Sequence, residues 1–344
     1  MQDRHVGRRP ARPRPPWQLR LLRRSIAAAL ACAAAFGSPI GATRAADYPS
    51  RPVRLFVPYG AGGVGDLTMR LLARKLSEQV KQQFVIENRP GAGGILAMTE
   101  VLRAGADGYA LGEVGNGQAI TASLFNKLPF DVLKDFTPVS VAAFFEMLLA
   151  VPGDSPYRSL KDIVEAAKRS PGKLNLGAIN PGSTQNLSAH LFQQVTGADF
   201  ALVTYRTTPE LLTAMLRGEI DLAFDYYAGL ISEIDGGKIR ILATSGEERN
   251  PLLKDVPTAK DAGFPQYVVV GWNGIAAPAA TPPDVLKVLN TEINRALAAP
   301  DLQEQARRLG LDARGTTAQE MRDRLSADIA KWRGVIEKAG IPKQ

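Results

Sequence analysis

The segment Pro58-Tyr59-Gly60-Ala61-Gly62-Gly63-Val64-Gly65-Asp66 is where residue type and spacing most directly imply chemistry in this 344-residue chain. Glycines let backbone N–H groups approach a ligand closely, and the start of a helix favours an anion. Gly60, Gly62 and Gly65 also fit G-x-G-x-x-G, and Glu87 follows 22 residues after Gly65, the spacing of a dinucleotide fingerprint. Asp66 opposes that reading, because it places a carboxylate where a pyrophosphate needs positive potential. Pro58 opposes it too, by interrupting the strand that should feed the tight turn. A second loop of the same kind, Asn180-Pro181-Gly182-Ser183-Thr184-Gln185, lies in the other half of the chain. There Ser183 and Thr184 can cap a helix or donate hydroxyls to a carboxylate. Two anion-ready loops in two halves are expected to meet in a cleft between lobes.

Other chemistries are short of residues. Cys32 is the single cysteine, and His5 and His190 are the two histidines. Cys32 and His5 both fall in an N-terminal segment with the pattern of a removable export signal. The mature chain would then lack disulfides, thiol catalysis and cysteine metal sites, and no cofactor or metal is expected. A hydrolase would have to pair Ser183 with His190, but residues seven apart at different turns of one helix do not meet. His190 is expected to be structural.

These loops need elements to hold them. Val53–Val57, Phe84–Glu87 and Tyr109–Val114 have the composition of strands. Between the first two, Leu67, Leu71, Leu72, Leu76 and Val80 recur at helical spacing, which predicts a crossover helix over 66–81. A second set follows a strand-like run near Met147–Val151. It comprises a helix capped by Ser159 and running to about Arg169, a strand Leu174–Ala178, a helix marked by Leu187, Leu191 and Val195, and a strand Leu202–Tyr205. A helix starting at Thr208-Pro209 and strands Ile220–Phe224 and Ile239–Thr244 complete it, and the tail from Pro283 is helical. Alternating strands and helices predict an α/β chain with mainly parallel sheet.

Charge excludes a nucleic-acid groove. Lysine and arginine number 42 against 34 aspartates and glutamates, but residues 1–45 hold nine arginines and one acid, leaving 33 of each in the body. In residues 1–45, arginines precede the apolar run Ile26–Phe36 and then small residues. That order fits a signal peptide cleaved near Ala45, and the run is well short of the ~20 residues that span a bilayer. Twin-arginine export at Arg23-Arg24 and lipoprotein anchoring at Cys32 remain open from the residues.

The chain resembles the Bug family, the TctC-like solute receptors of tripartite tricarboxylate transporters. The resemblance is carried by Tyr48-Pro49-Ser50-Arg51-Pro52-Val53-Arg54, Val57-Pro58-Tyr59, Gly62-Gly63, Asp66, Glu87-Asn88-Arg89-Pro90-Gly91-Ala92-Gly93-Gly94 and Ala106-Asp107-Gly108-Tyr109. It continues through Asp135-Phe136-Thr137-Pro138-Val139, Pro171-Gly172-Lys173-Leu174, Gly218-Glu219-Ile220-Asp221, Asp255-Val256-Pro257-Thr258, Trp272-Asn273-Gly274 and Ala276-Ala277-Pro278. It implies a periplasmic two-lobed Venus flytrap, with 46–148 and 271–344 as the first lobe and 149–270 as the second. A small organic carboxylate would sit between them. The implied contacts are Tyr59, Ala61, Gly62, Gly63 and Asp66 from the first loop, and Ala178, Gly182, Ser183, Thr184 and Gln185 from the second. Asn116, Gly117, Gln118 and Asp225 would line the distal pocket. The implied partners are membrane transporter subunits or a sensor kinase, with the receptor a monomer and not an enzyme. Asn180 and Asn186 depart from the family's usual glycine and histidine, and Tyr205-Arg206-Thr207-Thr208 stands where Tyr-Lys-Gly is common. The resemblance therefore leaves the ligand's identity open. A nucleotide-dependent enzyme built on Gly60–Gly65 is the competing class.

Overall fold

The computed structural model describes residues 48–180 and 182–344, so the expected signal segment, with the cleavage expected near Ala45 and with Cys32, lies outside the described residues. The chain starts with β1 (Val53–Val57), α1 (Val64–Val80), β2 (Phe84–Asn88), α2 (Ile95–Arg103), β3 (Ala110–Gly115) and α3 (Asn116–Leu124). The long β4 (Phe136–Pro152) follows, then α4 (Leu160–Arg169), β5 (Asn175–Ile179), α5 (Thr184–Thr196), β6 (Ala201–Tyr205), α6 (Thr208–Leu216), β7 (Leu222–Tyr226), α7 (Tyr227–Asp235) and β8 (Ile239–Thr244). Last come β9 (Val270–Pro278), α8 (Pro283–Leu297), α9 (Pro300–Arg308) and α10 (Ala318–Lys338).

Helical periodicity places the helices because it gives each an apolar stripe to bury. Met69, Leu72, Ala73 and Leu76 are the buried stripe of α1, and Leu160, Ile163, Val164 and Ala167 that of α4. Ser159 caps α4 as expected, its hydroxyl accepting the Asp162 N–H at 3.2 Å while Asp162 Oδ2 accepts the Ser159 N–H at 2.9 Å.

The sheet contains two parallel triplets, β2-β1-β3 and β6-β5-β7. Antiparallel strands join them. β9 pairs with both β3 and β4, and β4 runs beside β9 as far as the Glu146–Val270 pair. From Met147 onward β4 pairs instead with β7 and β8. One 17-residue strand thus belongs to both halves, where the sequence pattern had marked only its second part. The sequence pattern did not mark β9 as a strand at all.

Packing ties the last helix across the molecule. α10 contacts α3, β4 and α5. Trp272 of β9 is buried and donates its indole N–H to Asp328 Oδ2 of α10 at 2.6 Å, and Arg324 one turn earlier also holds Asp328, at 3.0 Å. Tyr48–Gln344 is one compact unit. No described helix is long and apolar enough to cross a membrane.

Candidate functional site

Both glycine loops end a parallel strand and begin a helix. In the first, Ala61, Gly62 and Gly63 are exposed, and Gly63 precedes α1 in extended conformation with no side chain capping the helix start. Gly62 has φ +89°, a conformation open to glycine at little cost. Asp66 is 1 % exposed and organises this loop. It accepts the Gly62 N–H at 2.9 Å, the Arg70 guanidinium at 2.9 and 3.0 Å and the Asn88 amide at 2.8 Å. Burial alone would raise its carboxyl, but the Arg70, Gly62 and Asn88 hydrogen bonds outweigh that and hold it below the usual carboxylate range. The oxygens of Asp66 are thus engaged within the loop.

Tyr59 spans from this loop to α3. A Cβ on Gly65 would lie 2.7 Å from its ring, and one on Gly117 would lie 2.5 Å from its hydroxyl. The phenol is held well above its ordinary pKa by burial first, then by Glu113 and Tyr226, although 36 % of the residue is still exposed. At the start of α3, Asn116 Oδ1 accepts the Trp272 N–H at 3.1 Å and Gln118 Oε1 accepts the Gly115 N–H at 2.8 Å. Asn116 and Gln118 therefore pin this turn to β9 and β3.

In the second loop, Asn180 has φ +42° and Gly182 φ +78°, which turns the chain from β5 into α5. Ser183 caps α5 by accepting the Asn186 N–H at 3.1 Å, and its hydroxyl donates to the Ile179 carbonyl. Gly182 donates its N–H to Asn186 Oδ1 at 3.2 Å, so the residue at the family's histidine position stabilises the loop. Gln185 donates to Asp225 Oδ1 at 3.1 Å, and Thr208 donates to Asp225 Oδ2 at 2.5 Å. Burial pushes the Asp225 carboxyl up, against those hydrogen bonds and that from the Tyr226 N–H. Ala178 is fully buried in β5 behind this cluster.

The two loops converge. Tyr226, at the end of β7, is raised well above its ordinary pKa by burial, and its ring packs edge-on against Phe145 of β4 with centroids 4.9 Å apart. A Cβ on Gly182 would lie 2.7 Å from Leu124 of α3. Tyr226, Thr208 and Asn88 were not among the expected site residues; Asn88 and Thr208 each lay in a segment compared with the family, and Tyr226 carried no signal. His190 on α5 is half-buried, and burial lowers its pKa. Among the described residues no group of three or more His, Cys, Asp or Glu is placed to hold a metal ion.

Two loops at the ends of two parallel triplets, bridged by crossing antiparallel strands, define a two-lobed α/β fold of the periplasmic-binding-protein class. The profile of the tripartite tricarboxylate transporter family receptor, TctC, matches residues 68–341, and the chain belongs to that family. It is 30 % identical over 304 residues to protein BugT of Bordetella pertussis, covering 88 % of this chain and 93 % of BugT. The structure of R. palustris Rpa4515 with adipate superposes with TM-score 0.79 at 33 % identity, covering 87 % of this chain and all of that one. MatC (Rpa3494) from Rhodopseudomonas palustris with bound malate superposes with TM-score 0.73 at 29 % identity, covering 84 % of this chain and all of that one.

Proposed function

We propose that this receptor works in the periplasm, captures a small organic carboxylate between two lobes and delivers it to a tripartite membrane transporter. The observation that carries the reading is the approach of both loops to α3: the Tyr59 hydroxyl lies over Gly117 at its start, and Gly182 of the second loop packs on Leu124 at its end. The lobes are 46–148 with 271–344, and 149–270; the change of β4 partners after Glu146 supports that division. The relatives that carry adipate and malate supply the ligand class.

Asp66 and Asn186 already hold the Gly62 and Gly182 amides, so these side chains preset the loops. Tyr59, Ala61, Gly63 and Thr184 then present backbone and hydroxyl donors, Ser183 shapes the second loop with both its N–H and its hydroxyl engaged inside it, and Gln185 and Asp225 form the distal wall. Donors fixed before binding need no reordering when the anion arrives. A ligand touching both loops binds the closed form better and so shifts the equilibrium toward closure. The Ser183 hydroxyl, bonded to Ile179 on its own loop, has the role of a cap.

A thermal-shift screen of the purified protein against organic acids and nucleotides tests this. A carboxylate at ~100 times its Kd should add ~2.7 kcal/mol of stability. A melting temperature raised by nucleotides and by no carboxylate would favour the enzyme reading.

A further inference from the structure

Glu113 is 1 % exposed, and neither of its carboxylate oxygens has a hydrogen-bond partner. Asn273 is 2 % exposed, and both atoms of its side-chain amide also lack partners. The strand register puts the two together: Glu113 faces Ile275 and Gly115 faces Asn273 across β3 and β9, so Glu113 and Asn273 share one face of the sheet. Gly112 turns the other way, toward Met98 and Val101 of α2. The Glu113 carboxyl extends toward the end of its strand, its Oε1 3.4 Å from where a Cβ on Gly115 would sit. A Cβ on Gly65 would lie 3.7 Å from Asn273 Nδ2 and 2.7 Å from the Tyr59 ring, so Tyr59 stands next to this pair.

Buried polar groups are almost always partnered, and an unpaired buried carboxylate is costly. This pair sits at the C-terminal end of a parallel strand beside the first loop, where open α/β sheets take their ligands. An ammonium offers three donors and no acceptor, which suits the Glu113 oxygens and Asn273 Oδ1. A second carboxylate at the same place could accept only the single Glu113 O–H and the Asn273 amide N–H, and it would leave Asn273 Oδ1 facing another acceptor in a dry site. We propose that Glu113, with Asn273 beside it, is a subsite for a cationic group, so that the ligand is a small carboxylic acid bearing an ammonium. This rests on the carboxylate-receptor reading above and narrows it.

Burial pushes the Glu113 carboxyl up to about 8, so the free protein carries it protonated at neutral pH. The titratable neighbour is Tyr59 from the loop, itself raised. Asp66 at the start of α1 is held by Gly62, Arg70 and Asn88, β9 presents neutral Asn273 and Ile275, and no ion pair to Glu113 occurs among the described residues. When the ammonium binds, the Glu113 O–H proton passes to the buffer and the ammonium keeps its own three.

Calorimetric titration tests the subsite with matched probes: alanine against propionate, aspartate against succinate, glutamate against glutarate. At least one amino acid should bind about tenfold more tightly than its deamino partner. Its binding enthalpy at pH 7 should differ between phosphate and Tris in proportion to about one proton released. The proton count is read on the unaltered protein, and Glu113→Gln should abolish both the release and the preference while still melting cooperatively. Equal or tighter binding of the deamino acids, or a preference that survives Glu113→Gln, would overturn the subsite alone. Failure of every probe in both series would withdraw the carboxylate reading, and the subsite with it.

Discussion

Two buried carboxyls in the first half of the chain, Asp66 and Glu113, have opposite environments. Asp66 accepts from three partners and is held below its usual range, so its ionised form stabilises the fold above the unfolded carboxylate pKa, and that stability is lost as pH falls through the lowered folded value. Asp66→Ala leaves the Arg70 Nε–H and the Gly62 N–H without an acceptor, while Arg70 keeps Asn88 Oδ1 and Asn88 keeps the Tyr59 carbonyl. It should cost about 1–3 kcal/mol in denaturant unfolding at pH 7, with the difference shrinking toward pH 3. Glu113 has the reverse sign. Its folded pKa lies above the unfolded one, so the native state binds the extra proton and stability declines as pH rises between about 4, the unfolded value, and about 8. Glu113→Gln should flatten that decline and leave the protein at least as stable as the parent at pH 8, measured by melting temperature against pH. The first glycine loop was legible because Gly60–Gly65 sits between a strand and a helix. Glu113 was not, because one acid in an apolar run carries no sign of whether a distant strand supplies it a partner.

At the scale of elements, what was legible followed periodicity and caps. α1 and α4 were expected close to their true bounds because their apolar stripes and the Ser159 cap are local signals. β9 carried no such signal. It is buried on both faces, so apolar and polar residues do not alternate, and its glycines answer to neighbours far away in sequence. Gly274 is the sharpest case: a Cβ there would lie 2.5 Å from the Ser140 carbonyl oxygen and 2.8 Å from Val141 Cα, both backbone atoms of β4. Gly274→Ala should therefore destabilise by about 1–3 kcal/mol through overpacking, read by denaturant midpoint with an unchanged m-value. Ser183→Ala removes the cap of α5 and should cost about 1 kcal/mol, a loss that a glycine at the same place would reduce to a few tenths. His190→Ala, on the same helix, should leave carboxylate affinity at its parental value, because this half-buried side chain serves packing.

Over the whole molecule, the +8 charge of the chain belongs to residues 1–45, and the body after them is balanced at 33 against 33. Anion capture then depends on fixed dipoles and hydroxyls, so ligand affinity should fall only weakly between 50 and 500 mM salt, whereas a basic field would be screened steeply. The two-lobed α/β organisation was legible from alternating patterns and family motifs. The sharing of β4 between both halves was not, because pairing partners are chosen in three dimensions. The central claim is that one carboxylate is held by both loops at once. The most direct measurement is the dissociation constant of a single carboxylate for the parent protein, for a first-loop variant Tyr59→Ala and for a second-loop variant Thr184→Ala. One ligand per chain, with both variants weakening binding by about tenfold or more, is expected if each loop contributes about 1.4 kcal/mol. A parental dissociation constant in either variant would contradict the account.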